Sequence, residues 1–134
     1  MSRLVLSAAL LAACATVPTA MRVSLDPPVY TPGKASALGI GLLPIAAPPK
    51  GVKVRYRWRA DRGHFKSWSE VTHDVERFGV EAVNDGGKLY WTYEGAALEP
   101  ATITIVAENA KNGKVLAETV VRLEWDGELV RVAR

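Results

Sequence analysis

The sequence predicts an all-β protein, a single antiparallel β-sandwich of about seven or eight short strands. Residues 53–59 alternate strictly between cations and large apolar side chains, the pattern of a strand with one buried and one solvated face. Residues 102–107 alternate as well, and Asn112-Gly113, a pair that tight hairpin turns favour, separates them from a returning segment over 115–125. Turn signals recur every 8–12 residues, as is typical of sandwiches.

Composition is that of a globular protein with one domain. The chain has 134 residues, of which 49% are hydrophobic and 23% charged. The net charge of +3 is small for a nucleic-acid-binding protein, and the basic residues concentrate in 53–59, so we expect no nucleic-acid partner. Cys14 is the only cysteine, which excludes a disulfide within the chain.

The first residues have the features of an export signal. Arg3 gives a short positive region, and residues 4–13 form an apolar run of ten residues, too short to cross a bilayer. The end of this run, Leu-Ala-Ala-Cys at 11–14, resembles the lipobox of bacterial lipoproteins. A plain secretory signal cleaved near Ala15 or Ala20 is the alternative.

The lipobox resemblance implies cleavage before Cys14, which then carries diacylglycerol on its sulfur and an acyl chain on its amino group. More than one acyl chain is what stable anchoring needs. Ala15 resembles an outer-membrane sorting signal, so we expect a domain held in the periplasm or at the cell surface. The predicted divisions are a signal peptide over 1–13, a tether over 14–20 and a sandwich over 21–134.

In the first half of the chain, strands are predicted at Arg22–Leu25, around Leu38 to Leu42, and at Lys53–Arg59. A turn is predicted at 30–34, and prolines at 44, 48 and 49 are expected to end the second strand. Gly39 and Gly41 favour a twisted or bulged strand, with close approach of another backbone or a ligand as the alternative.

In the second half, an aromatic strand ending at Trp68 is followed by an irregular strand within 71–83 and by a turn at 84–87. An aromatic strand at 88–93 precedes the hairpin formed by 102–107 and 115–125. The last strand, 129–132, is predicted to lie at a sheet edge, where Arg131 and Arg134 discourage pairing with other chains.

The third predicted strand should hold the core of the sandwich. Val54, Tyr56 and Trp58 share one face and are expected to point inward, with Trp58 as the central core residue. The opposite face then carries a positive stripe: Lys53, Arg55, Arg57 and Arg59.

Several segments together resemble bacterial Ig-like and PKD-like repeats. They are Tyr56–Ala60, Gly63-His64-Phe65, Trp91-Thr92 and the hairpin strand 101–109 with Gly113. The resemblance covers roughly residues 23–123 and implies an Ig-like sandwich used for adhesion, spacing, carbohydrate contact or assembly in the envelope, without catalysis.

Catalytic and metal-binding patterns are sparse in the sequence. His64 and His73 are the only histidines, and their spacing matches no common metal or catalytic motif. We therefore predict no enzyme activity, no cofactor and no metal. Loop carboxylates and amides leave calcium as an alternative, although turn chemistry accounts for each of them: Asp61, Asp74, Asn84, Asp85, Asn109 and Asn112.

The positive stripe is the first candidate binding surface. It is suited to an anionic partner such as lipid headgroups, lipopolysaccharide or peptidoglycan carboxylates. The alternative is that the stripe pairs with carboxylates of the neighbouring hairpin, Glu108, Glu118 and Glu124.

Two tryptophans form the second candidate. Trp68 and Trp91, if exposed with Tyr90 or Tyr93, would stack on a sugar ring, although the sequence favours packing in the core or at its rim. The sequence thus predicts a membrane-anchored, non-catalytic Ig-like lipoprotein that binds or organises a protein or anionic envelope component, with a small glycan-binding module as the alternative.

Overall fold

The computed structural model describes residues 19–32, 38–94 and 99–133, and this part of the chain contains strands and no helix. The strands are β1 (Thr19–Ala20), β2 (Arg22–Leu25), β3 (Val29–Tyr30), β4 (Ile40–Ile45), β5 (Val54–Ala60), β6 (His64–Trp68), β7 (Val75–Arg77), β8 (Glu81–Asn84), β9 (Leu89–Thr92), β10 (Ala101–Asn109), β11 (Val115–Trp125) and β12 (Val130–Val132). The all-β prediction is confirmed. The described residues form more strands than the seven or eight predicted, and several of them are only two or three residues long.

The strands form two sheets. The larger sheet has the order β3-β12-β11-β10-β5-β8, and β1 adds to it alongside β11. The smaller sheet has the order β2-β4-β9-β6-β7. Neighbouring strands are antiparallel in both sheets except for the parallel pair of β1 and β11. The architecture is that of a β-sandwich.

The core lies between the two sheets, and Trp58 occupies its centre as predicted. Trp58 is 1% exposed, and its ring packs edge-to-face on Phe65 of the opposite sheet, with centroids 5.6 Å apart. Full burial of a large apolar side chain stabilises a fold by roughly 1.5–3 kcal/mol. The other large apolar side chains that are fully buried are Ile40, Leu42, Leu89, Trp91, Ile103, Ile105 and Leu123.

The turn after β8 supports this core tryptophan. The indole N–H of Trp58 donates to Oδ1 of Asn84 at 2.9 Å, which satisfies a buried donor. Asn84 also donates to the carbonyl of Gly87 at 2.9 Å. The predicted turn at 84–87 therefore both connects β8 to β9 and holds the central side chain.

Gly39 and Gly41 mark close backbone approaches, which was the less favoured interpretation. A Cβ at Gly39 would overlap the carbonyl oxygen of Trp91, and one at Gly41 would overlap that of Asp26. Gly41 also accepts a hydrogen bond from the amide of Asp26 at 2.9 Å. Glycine is required at both positions because the neighbouring backbone lies where a side chain would be.

Three element predictions need correction. Pro44 lies within β4, because β4 extends past the end of its partner β9 and pairs there with β2 alone. β12 is not an edge strand, since Tyr30 of β3 pairs with Val130 of β12. The segment 71–83 holds two strands, of which β7 belongs to the smaller sheet and β8 to the larger.

The sheet also begins earlier than the predicted boundary at residue 21. Thr19 and Ala20 form β1, opposite Ala117 and Glu118 of β11. The predicted tether over 14–20 is thus joined to the sandwich from Thr19 onward. Cys14 and the rest of the predicted signal and tether lie outside the described residues.

Candidate functional site

The predicted positive stripe lies on the outer surface of the larger sheet. Arg55, Arg57 and Arg59 belong to β5 and point away from the core, whereas Tyr56 and Trp58 point into it. Lys53 is exposed just before β5 begins. We call the outer surface around these three arginines the basic face.

A buried carboxylate organises the basic face. Glu108 of β10 is 5% exposed and lies directly opposite Arg55 in the sheet register. The Nε atoms of Arg55 and Arg57 both donate to its Oε1 at 2.7 Å. The expected pairing of the stripe with Glu108 is therefore present.

Glu108 stays ionised in spite of its burial. Burial alone would raise the pKa of this carboxyl, but the hydrogen bonds from Arg55 and Arg57 outweigh it and hold the pKa below its usual value. One carboxylate faces two guanidinium groups, so this cluster keeps one positive charge.

The other two expected carboxylate partners do not pair with the stripe. Glu124 lies opposite Arg131 of β12, and their side chains are 3.7 Å apart. Glu118 lies opposite Val106, one strand away from β5. β10 lies between β5 and the strand that carries both carboxylates, and neither carboxylate forms an ion pair with an arginine of β5 within the described residues.

The outer end of the stripe is held only weakly. Arg59 lies opposite Glu81 of β8, and the closest N–O distance between the two exposed side chains is 3.5 Å. An exposed pair of this kind contributes about 0–1 kcal/mol and is screened by salt. Arg122 of β11 adds a further exposed cation that makes no ion pair within the described residues.

A shallow depression lies beside these side chains. It has a volume of about 410 Å³, and its lining includes two arginines, Arg57 and Arg59, and two carboxylates, Glu81 and Glu118. The side chains of Arg57 and Arg59 are 54% and 76% exposed. Their free N–H groups suit phosphate or carboxylate oxygens, which guanidinium groups bind in a planar, often bidentate geometry.

The tryptophan pair predicted to bind a glycan does not form one surface. Trp91 is 1% exposed, and its indole N–H donates to the carbonyl of Arg62 at 2.9 Å inside the core. Trp68 is 38% exposed and stacks on His73, with centroids 5.8 Å apart. Because Trp91 faces the opposite sheet, it offers no surface to a sugar ring, and the prediction is corrected at that residue.

Burial or turn hydrogen bonds account for several of the remaining candidate residues. Burial lowers the pKa of His64, which favours its neutral form. Asp61 accepts the amide of Thr102 at 2.9 Å, and Asn109 and Asn112 accept amides within the hairpin turn. Among the described residues, no group of three His, Cys, Asp or Glu side chains is arranged to hold a metal ion.

Sequence reasoning missed three features of this site. They are the burial of Glu108, the position of Glu81 beside Arg59, and the place of Thr104 between β5 and β11. The alternation of β10 put Glu108 on the solvent side, and only the register with β5 shows that two arginines cover it.

Comparison with protein-family models, curated proteins and solved structures finds no match to this chain. Within the described residues, no helix has the length and apolar character needed to cross a membrane.

Proposed function

We propose that the protein is a membrane-anchored, non-catalytic lipoprotein with an Ig-like domain, which binds or organises another component of the bacterial cell envelope through its basic face. The partner carries phosphate or carboxylate groups. The anchor is the acylated Cys14, and the membrane is the outer membrane, with the domain in the periplasm or at the cell surface.

Support for the anchored, Ig-like part comes mainly from the sequence. The apolar run that ends in Leu-Ala-Ala-Cys resembles a lipobox. The segments that resemble Ig-like and PKD-like repeats include β5, and Trp58 of β5 lies in the centre of a two-sheet core, as an Ig-like domain requires.

The observation that carries the binding proposal is the cluster of Arg55, Arg57 and Glu108, which keeps one positive charge on an ordered surface. Glu108 fixes the Nε atoms of Arg55 and Arg57 and leaves other guanidinium N–H groups of the exposed Arg57 side chain free. Donors that are held in place before binding lose less conformational entropy when a partner arrives. The basic face is therefore prepared for an anionic group.

Site-specific photo-crosslinking in intact cells tests this proposal. A photoreactive residue at Thr104 lies on the basic face, between Arg59 and Val120. The matched control places it at Ser24, an exposed position on the smaller sheet. We expect a discrete adduct with an anionic envelope component from position 104 and none from position 24.

Charge variants then show whether the arginines cause that adduct. Arg57→Gln with Arg59→Gln removes two cations and keeps the pair of Arg55 with Glu108, and we expect the adduct to fall about tenfold or more. The control, Arg77→Gln with Lys88→Gln, removes the same charge from the smaller sheet. An adduct that survives the first variant, or is lost equally in the control, contradicts binding through the basic face.

Glycan binding remains a second candidate, with Trp68 as its only tryptophan. Trp68 borders a depression of about 550 Å³ whose polar lining includes Glu70, Glu76 and Asn84. Stacking on an aromatic ring combined with polar contacts is suited to sugars. Cell-wall glycans should then quench tryptophan fluorescence in the wild type and in Trp125→Leu but not in Trp68→Leu, and equal quenching in all three would exclude this site.

A further inference from the structure

The chain enters the sandwich at one defined end. β1 begins at Thr19, five residues after Cys14, and runs alongside Ala117 and Glu118 near the start of β11. Five residues span at most about 18 Å when fully extended. If Cys14 is acylated, as the proposed function requires, this end of the sandwich is held within that distance of the lipid.

Two loops meet at the same end. The β4–β5 loop covers residues 46–53, and the β10–β11 turn covers residues 110–114. The amide of Ala110 donates to the carbonyl of Lys53 at 2.9 Å, which ties the two segments together. We call these two segments, together with β1 and Arg22 of β2, the anchor end.

The anchor end is basic and contains no Asp or Glu. Both loops carry exposed lysines: Lys50, Lys53, Lys111 and Lys114. Arg22, also exposed, lies beside them opposite Ile45. None of these five cations forms an ion pair within residues 19–32, 38–94 and 99–133, whereas Lys66 and Lys88 on the smaller sheet face Glu94 and Asp26.

Most acidic residues lie elsewhere on the molecule, although Glu118 borders the anchor end opposite Ala20 of β1. The opposite end of the sandwich carries six carboxylates in its loops and turns: Asp26, Asp61, Glu94, Glu99, Asp126 and Glu128. Glu70, Asp74 and Asp85 lie at the same end as the lysines. Glu70 and Asp74 are in the loop after β6, at the edge of the smaller sheet opposite β2, and Asp85 follows β8, at the edge of the larger sheet away from β1. At this end of the sandwich, the basic residues therefore lie on the side where the chain enters from Cys14, and the acidic residues lie on the far side.

Apolar side chains accompany the lysines. A groove of about 450 Å³ at the anchor end is lined by Ala20, Ile45, Pro48, Pro49, Val54 and Leu116. Ile45 and Val115 are exposed. Basic side chains beside exposed apolar ones match the chemistry of a bilayer interface, where phosphates meet the acyl region.

We infer that the anchor end docks on anionic lipid headgroups, with Lys50, Lys53, Lys111 and Lys114 against the lipid phosphates. Docking in this way fixes the orientation of the sandwich. The basic face, which runs along the strands of the larger sheet, then stands away from the bilayer and stays accessible to a partner.

Lysine labelling on vesicles tests the docking. The mature protein is reconstituted in phosphatidylcholine vesicles with or without phosphatidylglycerol and treated with a water-soluble amine-acylating reagent, and the labelled peptides are quantified by mass spectrometry. With the anionic lipid, we expect the four lysines to react about fivefold more slowly relative to Lys88, and high salt should restore their reaction.

Two variants separate this inference from the proposed function. Lys50→Gln with Lys53→Gln should remove the protection of Lys111 and Lys114, and Arg57→Gln with Arg59→Gln should leave it unchanged. Equal labelling in both kinds of vesicle overturns the docking but does not contradict anchoring through Cys14. The same result is expected if an acyl chain of the protein fills the groove. Loss of protection in the Arg57 and Arg59 variant contradicts the docking through lysines. A chain that is not retained on vesicles overturns both the docking of the anchor end and the proposed lipid anchor.

Discussion

Glu108 is the residue on which the order of the basic face depends. An ionised carboxylate is tolerated in a buried position only when it is paired and hydrogen-bonded, and Arg55 and Arg57 supply both. The arginines are in turn oriented by it. Removal of the carboxylate should therefore change both stability and the arrangement of the binding surface.

The lowered pKa of Glu108 predicts a specific acid sensitivity. The unfolded chain takes up this proton near the ordinary value of 4.5, before the folded protein does. The stabilisation is therefore complete above that value and is lost as the pH falls through the lower folded pKa. We expect Glu108→Gln to cost about 1–3 kcal/mol at neutral pH and to flatten the decline of unfolding free energy in acid.

Urea unfolding at a series of pH values measures both effects. Glu118→Gln is the matched control, because it removes a carboxylate from the same outer surface that does not pair with Arg55 or Arg57. The control should keep the wild-type pH dependence. An unchanged acid slope in Glu108→Gln would contradict the pairing described for this residue.

Gly63 is a second position where one residue decides the packing. Its φ of +80° favours glycine, and a Cβ would lie 2.6 Å from the indole of Trp91 and from the carbonyl oxygen of Thr92. Gly113 has a similar φ of +75°, but a Cβ there would meet nothing within 4 Å. The two glycines therefore separate backbone strain from steric overlap.

We expect Gly113→Ala to destabilise the fold by about 1–2 kcal/mol, the cost of a left-handed conformation. Gly63→Ala should cost about 1–3 kcal/mol more, because the core around Trp91 has to shift. Urea unfolding of both variants gives the comparison. Equal losses would show that Trp91 does not pack against Gly63 as described.

At the scale of elements, periodicity predicted the long strands well. β5 and residues 101–105 of β10 alternate between apolar and polar residues, and Asn112-Gly113 marks the turn that leads to β11, so local patterns were sufficient. β3, β7 and β8 are two to four residues long, too short for a period to be read. Their existence depends on pairing with distant strands, which local sequence does not contain.

The turn between β8 and β9 is expected to stabilise more than its own conformation. Asn84→Ala removes the acceptor of the buried Trp58 N–H, and an unsatisfied buried donor costs about 1–3 kcal/mol. Asn112→Ala is the control, because its side chain accepts an amide in an exposed turn. Thermal unfolding should show the larger loss for Asn84→Ala, and an equal loss would contradict its support of the core.

At the scale of the whole molecule, the candidate site was predicted in position but not in detail. Alternation alone put Arg55, Arg57 and Arg59 on an outer surface. The pairing of two of them with one buried carboxylate depends on sheet register, which the sequence does not specify. Trp91 lies in the core, which the sequence favours without deciding, because an aromatic strand near a turn has the same pattern whether it faces the core or solvent.

The two proposed surfaces divide the molecule by role. In the proposed arrangement, the anchor end faces the lipid, and the basic face lies along the side of the sandwich, on the larger sheet. In that arrangement the five-residue connection from Cys14 to Thr19 keeps the sandwich close to the bilayer, so both surfaces act near the membrane. Both proposals therefore depend on acylation of Cys14.

The mass of the N-terminal peptide of the mature protein, purified from bacterial membranes, tests this central claim most directly. The account predicts a chain that begins at Cys14 and carries a diacylglycerol and an N-linked acyl chain. A chain that begins after Cys14, or that begins at Cys14 without lipid, would contradict it.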